Sequence, residues 1–127
     1  MNMLDSDEAT SRLLKAISAP PRLKIMRAMG AKEVCVCHLE AVFPEWRQAF
    51  ISQHLMALRK ANVLVSRKEG RFVFYRLRDT NILGLINLAA EFVGVDLSEI
   101  KEKEGCDCPG CQTFDKKDIQ VVATSIQ

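Results

Sequence analysis

Residues QAFISQHLMALRKAN (48–62) are followed directly by VLVSRKEGRFVFYRL (63–77), and the spacing of apolar residues changes between the two segments. In the first segment apolar residues recur at helical intervals from Ile51 to Leu58, which predicts a helix over about 46–60. Asn62 tolerates the left-handed conformation that a chain adopts just past a helix, so the helix should end there.

The second segment has the composition of a β-hairpin. β-Branched and aromatic residues lie on both sides of a charged turn that contains Gly70. A helix followed at once by a hairpin with a charged tip is typical of a helix-turn-helix with a wing. We therefore expect a mainly α protein with a β-hairpin wing.

Further helices are predicted around this unit. Apolar spacing indicates a first helix over about 7–18 and a short third helix over about 33–43. The second should begin at Pro20-Pro21, which suit a first helical turn, and end at Gly30.

The last predicted helix, about 79–95, is apolar on nearly every side. One small core cannot cover so much apolar surface, so we expect a homodimer in which this helix packs against its symmetry mate, with the first helix joining the interface. The predicted domain, 1–97, combines DNA binding and dimerisation, and 98–127 is a polar tail.

Composition sets the class of protein. The chain has 127 residues, 48% of them hydrophobic, which fits one globular domain. It has no run of about 18 apolar residues that could cross a membrane, and its first residues are acidic, unlike a signal peptide. We expect a cytoplasmic protein. No set of residues for enzymatic catalysis can be assembled.

All five cysteines fall into two clusters, Cys35 with Cys37 and Cys106 with Cys108 and Cys111. Thiolates at such short spacing suit a thiophilic ion, whose charge offsets their mutual repulsion. Clustered cysteines in a reducing compartment indicate metal binding or redox sensing and argue against a structural disulfide framework. The first pair opens a predicted helix, whose N-terminal partial charge favours the thiolate.

The net charge is only +2, but basic residues concentrate in the centre of the chain, where they could meet phosphates. On the recognition helix, Gln48, Ser52 and Gln53 have donors and acceptors that suit base edges. His54 is predicted to contact phosphate or base, or to pack beside the core. The predicted phosphate contacts are Arg47, Lys60, Arg67, Lys68 and Arg71.

Three motifs carry a family resemblance. EVCVCHL (33–39) resembles the ELCVCDL box of the ArsR/SmtB metal-responsive repressors, and 48–62 and 69–77 resemble their recognition helix and wing. Together these motifs place the resemblance over about residues 10–95. It implies a dimeric repressor that leaves its operator DNA when a metal or metalloid binds.

The chain departs from the family pattern at three places. Arsenic-sensing members have a third cysteine where this chain has Glu40, and zinc-sensing members have histidine on the last helix, which has none here. The dimer-interface zinc site is therefore expected to be absent. The turn 43–47 is one residue longer than usual.

Several ligands remain compatible with the cysteines. As(III) or Sb(III) needs three thiolates and is the expected inducer, while Cd(II), Pb(II) or Zn(II) takes three or four. The tail cysteines either complete the site of Cys35 and Cys37 or form a separate site, and His38 is a weaker candidate ligand. The CxxC at Cys108–Cys111 keeps a thiol-redox or persulfide-responsive repressor as an alternative. A third alternative is a metal-binding interaction module without DNA activity.

Overall fold

The computed structural model describes residues 5–100, which form five helices and three strands. The elements are α1 (Ser6–Ile17), α2 (Pro20–Met29), β1 (Val34–Cys35), α3 (Val36–Val42), α4 (Gln48–Lys60), β2 (Leu64–Glu69), β3 (Phe72–Leu77) and α5 (Asn81–Val93). The mainly α fold with a wing is confirmed.

Local side-chain and backbone chemistry explains the helix ends, and the prolines at the start of α2 and Asn62 after α4 were predicted. The Asp5 side chain accepts a hydrogen bond from the Glu8 amide at 2.7 Å and caps α1. Pro20 occupies the first turn of α2. Asn62, just past the end of α4, has φ 62°, which confirms the left-handed exit predicted from its residue type.

The core lies between α4 and the helices that precede it. Ile51, Leu55 and Leu58 of α4 are fully buried, as the helical spacing predicts. They share one apolar cluster with Ile25 of α2 and Leu39 of α3. Because this stripe is buried, the opposite face of α4 is the one exposed to solvent.

The wing is part of a three-stranded antiparallel sheet with strand order β1-β3-β2. β2 and β3 are joined by a two-residue turn at Gly70 and Arg71, and Gly70 has φ 60°. A positive φ at the first turn position matches the right-handed twist of a hairpin and favours glycine there.

The third predicted helix, 33–43, was wrong at its start. Val34 and Cys35 form β1 and pair with Tyr75 and Phe74 of β3, so α3 begins only at Val36. Local apolar spacing cannot reveal this strand, because the residues that pair with it lie far along the chain.

Helix α5 is slightly shorter than predicted, and its two faces differ. Leu83 and Ile86 are buried against the core, while Leu88, Phe92 and Val93 are exposed. Gly94 ends the helix with φ 87°. Among residues 5–100, no helix is long and apolar enough to span a membrane.

Candidate nucleic-acid interface and cysteine site

The outer face of α4 carries the predicted base-reading residues. Gln48 and Gln53 are exposed, Ser52 is half-buried, and Lys60 is exposed at the far end of the helix. Arg47 precedes the helix as its N-terminal flanking residue and is also exposed. Gln53 and Lys60 thus lie on the side of the helix opposite the buried stripe, Ser52 lies beside the stripe, and Arg47 and Gln48 are exposed at the start of the helix.

The long turn before α4 is held by stacked aromatic rings. Trp46 stacks on Phe43 with ring centroids 4.2 Å apart and contacts Phe50 at 5.3 Å. Phe50 in turn meets the His54 ring edge-on at 4.7 Å. This aromatic column, Phe43, Trp46, Phe50 and His54, joins the end of α3 to the first two turns of α4, so Trp46 in the turn is packed.

His54 is held from the side by Arg22 of α2. The Arg22 Nε donates to His54 Nδ1 at 3.1 Å, and another Arg22 nitrogen donates to the Ala16 carbonyl at 2.8 Å. Partial burial and then the Arg22 charge lower the pKa of His54. These contacts favour the packing alternative for His54 and leave its DNA contact a prediction.

The wing arginines have different surroundings. Arg67 donates to both carboxylate oxygens of Glu33, at 2.9 and 2.7 Å, and to Glu69 at 2.8 Å. These hydrogen bonds, first those that Arg67 donates to Glu33 and then the one that it donates to Glu69, raise the pKa of Arg67 above its ordinary value. Lys68 and Arg71 are exposed near the hairpin tip. Arg67 is therefore partly neutralised, whereas Lys68 and Arg71 are better placed for phosphates.

Cys35 and Cys37 lie together at the junction of β1 and α3. They are joined by a disulfide with Cα atoms 5.4 Å apart, and Cys35 is only 3% exposed. Cys35 is the N-cap of α3, where its sulfur accepts from the His38 amide at 3.4 Å. The first predicted cysteine cluster is thus a real proximity of two sulfurs, set against the base of the wing.

His38 follows the pair and is half-buried. Burial, and then the charge of the nearby Lys32, lower the pKa of His38. The neutral imidazole favoured by this environment is the form that binds metals.

The described residues supply only part of a three- or four-ligand site. Among residues 5–100, no group of three or more His, Cys, Asp or Glu side chains is arranged to hold a metal ion. The other predicted ligands, Cys106, Cys108 and Cys111, lie outside the described residues. After α5 the chain returns to the body, because Arg27 donates to the Ser98 carbonyl and Ile100 packs on the core.

Sequence reasoning missed the residues that surround the cysteine pair. Phe74 packs on Cys35, with Phe72 and Cys37 beside them, and Glu33 bonds Arg67 across 34 residues. The sequence held one signal of these contacts: Val34 favours a strand, and the acidic residue before it, Glu33, could pair with a basic residue.

The three-helix core, the exposed recognition helix and the sheet-anchored wing define a winged helix-turn-helix regulator. HlyU from Vibrio cholerae has a similar structure, with a TM-score of 0.61 and 32% identity over 71% of this chain and 97% of that one. Its reduced form gives a TM-score of 0.59 at 31% identity over 70% of this chain and 93% of that one. The repressor BigR from Xylella fastidiosa gives a TM-score of 0.61 at 27% identity over 71% of this chain and 91% of that one.

Sequence relatives give the family. A Synechocystis SmtB homolog is 32% identical over 69% of this chain and 66% of its own length. The cadmium resistance regulator CadC of Listeria innocua is 34% identical over 66% of this chain and 71% of its own. The arsenical resistance operon repressor of Bacillus subtilis is 34% identical over 64% of this chain and 84% of its own. No family model matches. The chain belongs to the ArsR/SmtB family of transcriptional repressors, and the relatives are regulators, not enzymes.

Proposed function

We propose that this protein is a repressor that binds operator DNA as a homodimer and is released when Cys35 and Cys37 bind As(III), Sb(III) or a similar thiophilic ion. The observation that carries the proposal is the proximity of these two sulfurs at the junction of β1 and α3, which would bind the ion as thiolates once a thiol reductant has opened the disulfide between them. This position adjoins both the wing and the helix that precedes the recognition helix, so a change there can reach both DNA-contacting elements.

DNA binding rests on the exposed face of α4 and on the wing. Gln48, Ser52 and Gln53 would lie in the major groove, with Arg47 and Lys60 on the flanking phosphates. The hairpin tip would bring Lys68 and Arg71 to the backbone or the minor groove. Arg67 contributes less, because two carboxylates already neutralise it.

Dimerisation rests on the outer face of α5. Leu88 and Phe92 are 63% and 93% exposed, and Leu14 of α1 is also exposed. A second copy of the chain would remove this apolar surface from water. Two recognition helices would then face adjacent half-sites of one operator.

The third ligand would come from the tail. Cys106 lies six residues after Ile100, which packs on the core, and an extended chain of that length reaches about 20 Å. One or more of Cys106, Cys108 and Cys111, from the same or the partner subunit, would complete the set. Because relatives are named for both cadmium and arsenic resistance, Cd(II), Pb(II) and Zn(II) are alternative inducers to As(III) and Sb(III).

Cysteine substitutions test the proposal. Cys35→Ser and Cys37→Ser should each leave a protein that binds the operator with near wild-type affinity but is no longer released by arsenite in a gel-shift titration. Release of both variants at the wild-type arsenite concentration would remove this pair as the sensing site. Replacing Cys106, Cys108 and Cys111 together with Ser should also abolish the response if the site is composite, and should preserve it if the clusters act separately.

A thiol-redox repressor is the second candidate, and the disulfide between Cys35 and Cys37 favours it. Two thiols would be oxidised to this disulfide while a peroxide is reduced to water. Mass spectrometry separates the candidates, since oxidation removes two hydrogens from the chain whereas arsenite adds arsenic. Gel-shift titrations with arsenite and with peroxide then compare the two reagents, and the one that releases the operator at the lower concentration identifies the chemistry that the protein uses.

A further inference from the structure

The cysteine pair and the wing share one row of the sheet. Cys35 of β1 lies opposite Phe74 of β3, and Phe74 lies opposite Arg67 of β2. Side chains in such a row are in direct contact across neighbouring strands. A buried cysteine, a buried ring and a wing arginine therefore follow one another without a gap.

Two aromatic rings separate the sulfurs from the wing cations. Phe74 is 1% exposed and packs on Cys35, while Phe72 and Cys37 pack at the edge of the same small cluster. The Arg67 guanidinium lies 4.8 Å from the centre of the Phe74 ring, and the Arg71 guanidinium 5.5 Å from the centre of the Phe72 ring. Each arginine is thus oriented in part by a ring that belongs to the same small apolar cluster as the cysteine pair.

The ion pair with Glu33 joins the same elements a second time. Glu33 directly precedes β1, and its carboxylate holds Arg67 at 2.7 Å. A movement of Cys35 that displaces β1 would move the carboxylate as well as the ring. The orientation and the charge pairing of Arg67 therefore both depend on the position of β1.

We infer that Phe72 and Phe74 are positioning residues that couple the chemical state of Cys35 and Cys37 to the phosphate contacts of the wing. The inference rests on the proposed function. Close-packed side chains transmit displacement, so binding an ion between the sulfurs moves the rings, and the rings reorient Arg67 and Arg71. An inducer acts here through the difference between its affinities for the two wing arrangements.

A competing route runs through the recognition helix. α3 leads from Cys35 to Phe43, and the aromatic column continues from Trp46 to Phe50 and His54. The two routes predict the loss of different DNA contacts when the inducer binds. A wing route releases phosphates and lowers the salt dependence of binding, by about 0.9 in slope for each phosphate released, whereas a recognition-helix route removes sequence discrimination.

The test compares leucine replacements of rings on the two routes in the full-length protein, with an operator selected from random duplexes. Phe72→Leu and Phe74→Leu, each compared with its own affinity for this operator without arsenite, should retain less than a tenth of the wild-type fold-change in affinity with sodium arsenite. Phe50→Leu, the matched control on the other route, should respond like wild type. Phe72→Tyr keeps the ring and should restore the response.

Salt titrations and mass spectra complete the design. With both proteins reduced beforehand by dithiothreitol that is then removed, arsenite should lower the salt slope of wild type but not of Phe72→Leu, while both bind arsenic equally by native mass spectrometry. If Phe74→Leu fails to fold, the test rests on Phe72→Leu and Phe72→Tyr, because Phe72 is only half-buried and its replacement is less disruptive. A wild-type response in Phe72→Leu, or a response abolished only in Phe50→Leu, overturns the inference.

The inference and the proposed function can fail separately. If arsenite does not release the wild-type protein, the arsenite-responsive function is wrong. The same variants are then compared between peroxide-treated and dithiothreitol-treated protein. A salt slope that differs between these two forms in wild type but not in Phe72→Leu supports the inference, and an unchanged slope in wild type overturns it.

Discussion

Helices α4 and α5 each contain 13 residues, yet they leave opposite kinds of surface exposed. α4 buries Ile51, Leu55 and Leu58 completely and presents mainly polar side chains outward. α5 buries Leu83 and Ile86 and presents large apolar side chains outward. Equal length and a shared core contact therefore do not determine the partner of a helix. Its outer face does.

The difference is the basis on which the proposed function gives the two helices different partners. A polar face with amide side chains matches the hydrogen-bonding edges of bases, which are exposed in the major groove. An apolar face gains by leaving water, so it matches another apolar face. Under the proposed function, one helix binds DNA and the other binds a second copy of the same chain.

The largest expected effect comes from replacing one leucine on each helix with alanine and comparing the two losses of stability. Leu55→Ala on α4 should lower the free energy of unfolding by about 2–5 kcal/mol, because it leaves a cavity in the core. Leu88→Ala on α5 should cost much less at low protein concentration, and its cost should grow with concentration as dimers form. Urea denaturation at several concentrations measures both. A concentration-independent loss for Leu88→Ala equal to that of Leu55→Ala would show that Leu88 also belongs to the core of the single subunit.

The next effect is on the dimer itself. Phe92→Glu places a charge on the most exposed apolar side chain of α5 and should yield folded monomers. Operator affinity should fall at least about 100-fold, or about 2.7 kcal/mol, because one subunit contacts only one half-site. Ile86 is a poor choice for this test, since it is buried and a charge there would disrupt the fold.

Analytical ultracentrifugation with a matched control checks this prediction. Asn87→Glu adds the same charge to an exposed polar position of α5 and should leave the dimer intact. A wild-type protein that sediments as a monomer at micromolar concentration would contradict the assignment of α5.

Sequence predicts those parts of the fold that depend on nearby residues. The buried stripe of α4 follows from the spacing of Ile51, Leu55 and Leu58, and the helix exit follows from the backbone preference of Asn62. The hairpin follows from residue type and one glycine. β1 could not be predicted, because two residues carry no period and their pairing depends on Tyr75 and Phe74.

The candidate site divides in the same way. The exposure of Gln53 could be predicted, because a buried helical stripe determines the opposite face. The neutralisation of Arg67 could not, because Glu33 becomes its neighbour only when β1 joins the sheet. Contacts between distant segments therefore decide which of the predicted cations are available to DNA.

The smallest effect separates two kinds of residue on the outer face of α4. Gln53→Ala should reduce discrimination between the selected operator and random duplex DNA by about 1–3 kcal/mol, because the variant can no longer hydrogen-bond a base edge. Lys60→Ala is the control on the same helix and should weaken binding to both duplexes equally, with a salt slope smaller by about 0.9. Fluorescence anisotropy with both duplexes over a range of salt concentrations measures the two quantities. Both side chains are exposed, so neither change should disturb the core, and a difference between them reports on DNA alone. Equal losses on operator and random DNA for Gln53→Ala would place Gln53 among the phosphate contacts and leave sequence reading to Gln48 and Ser52.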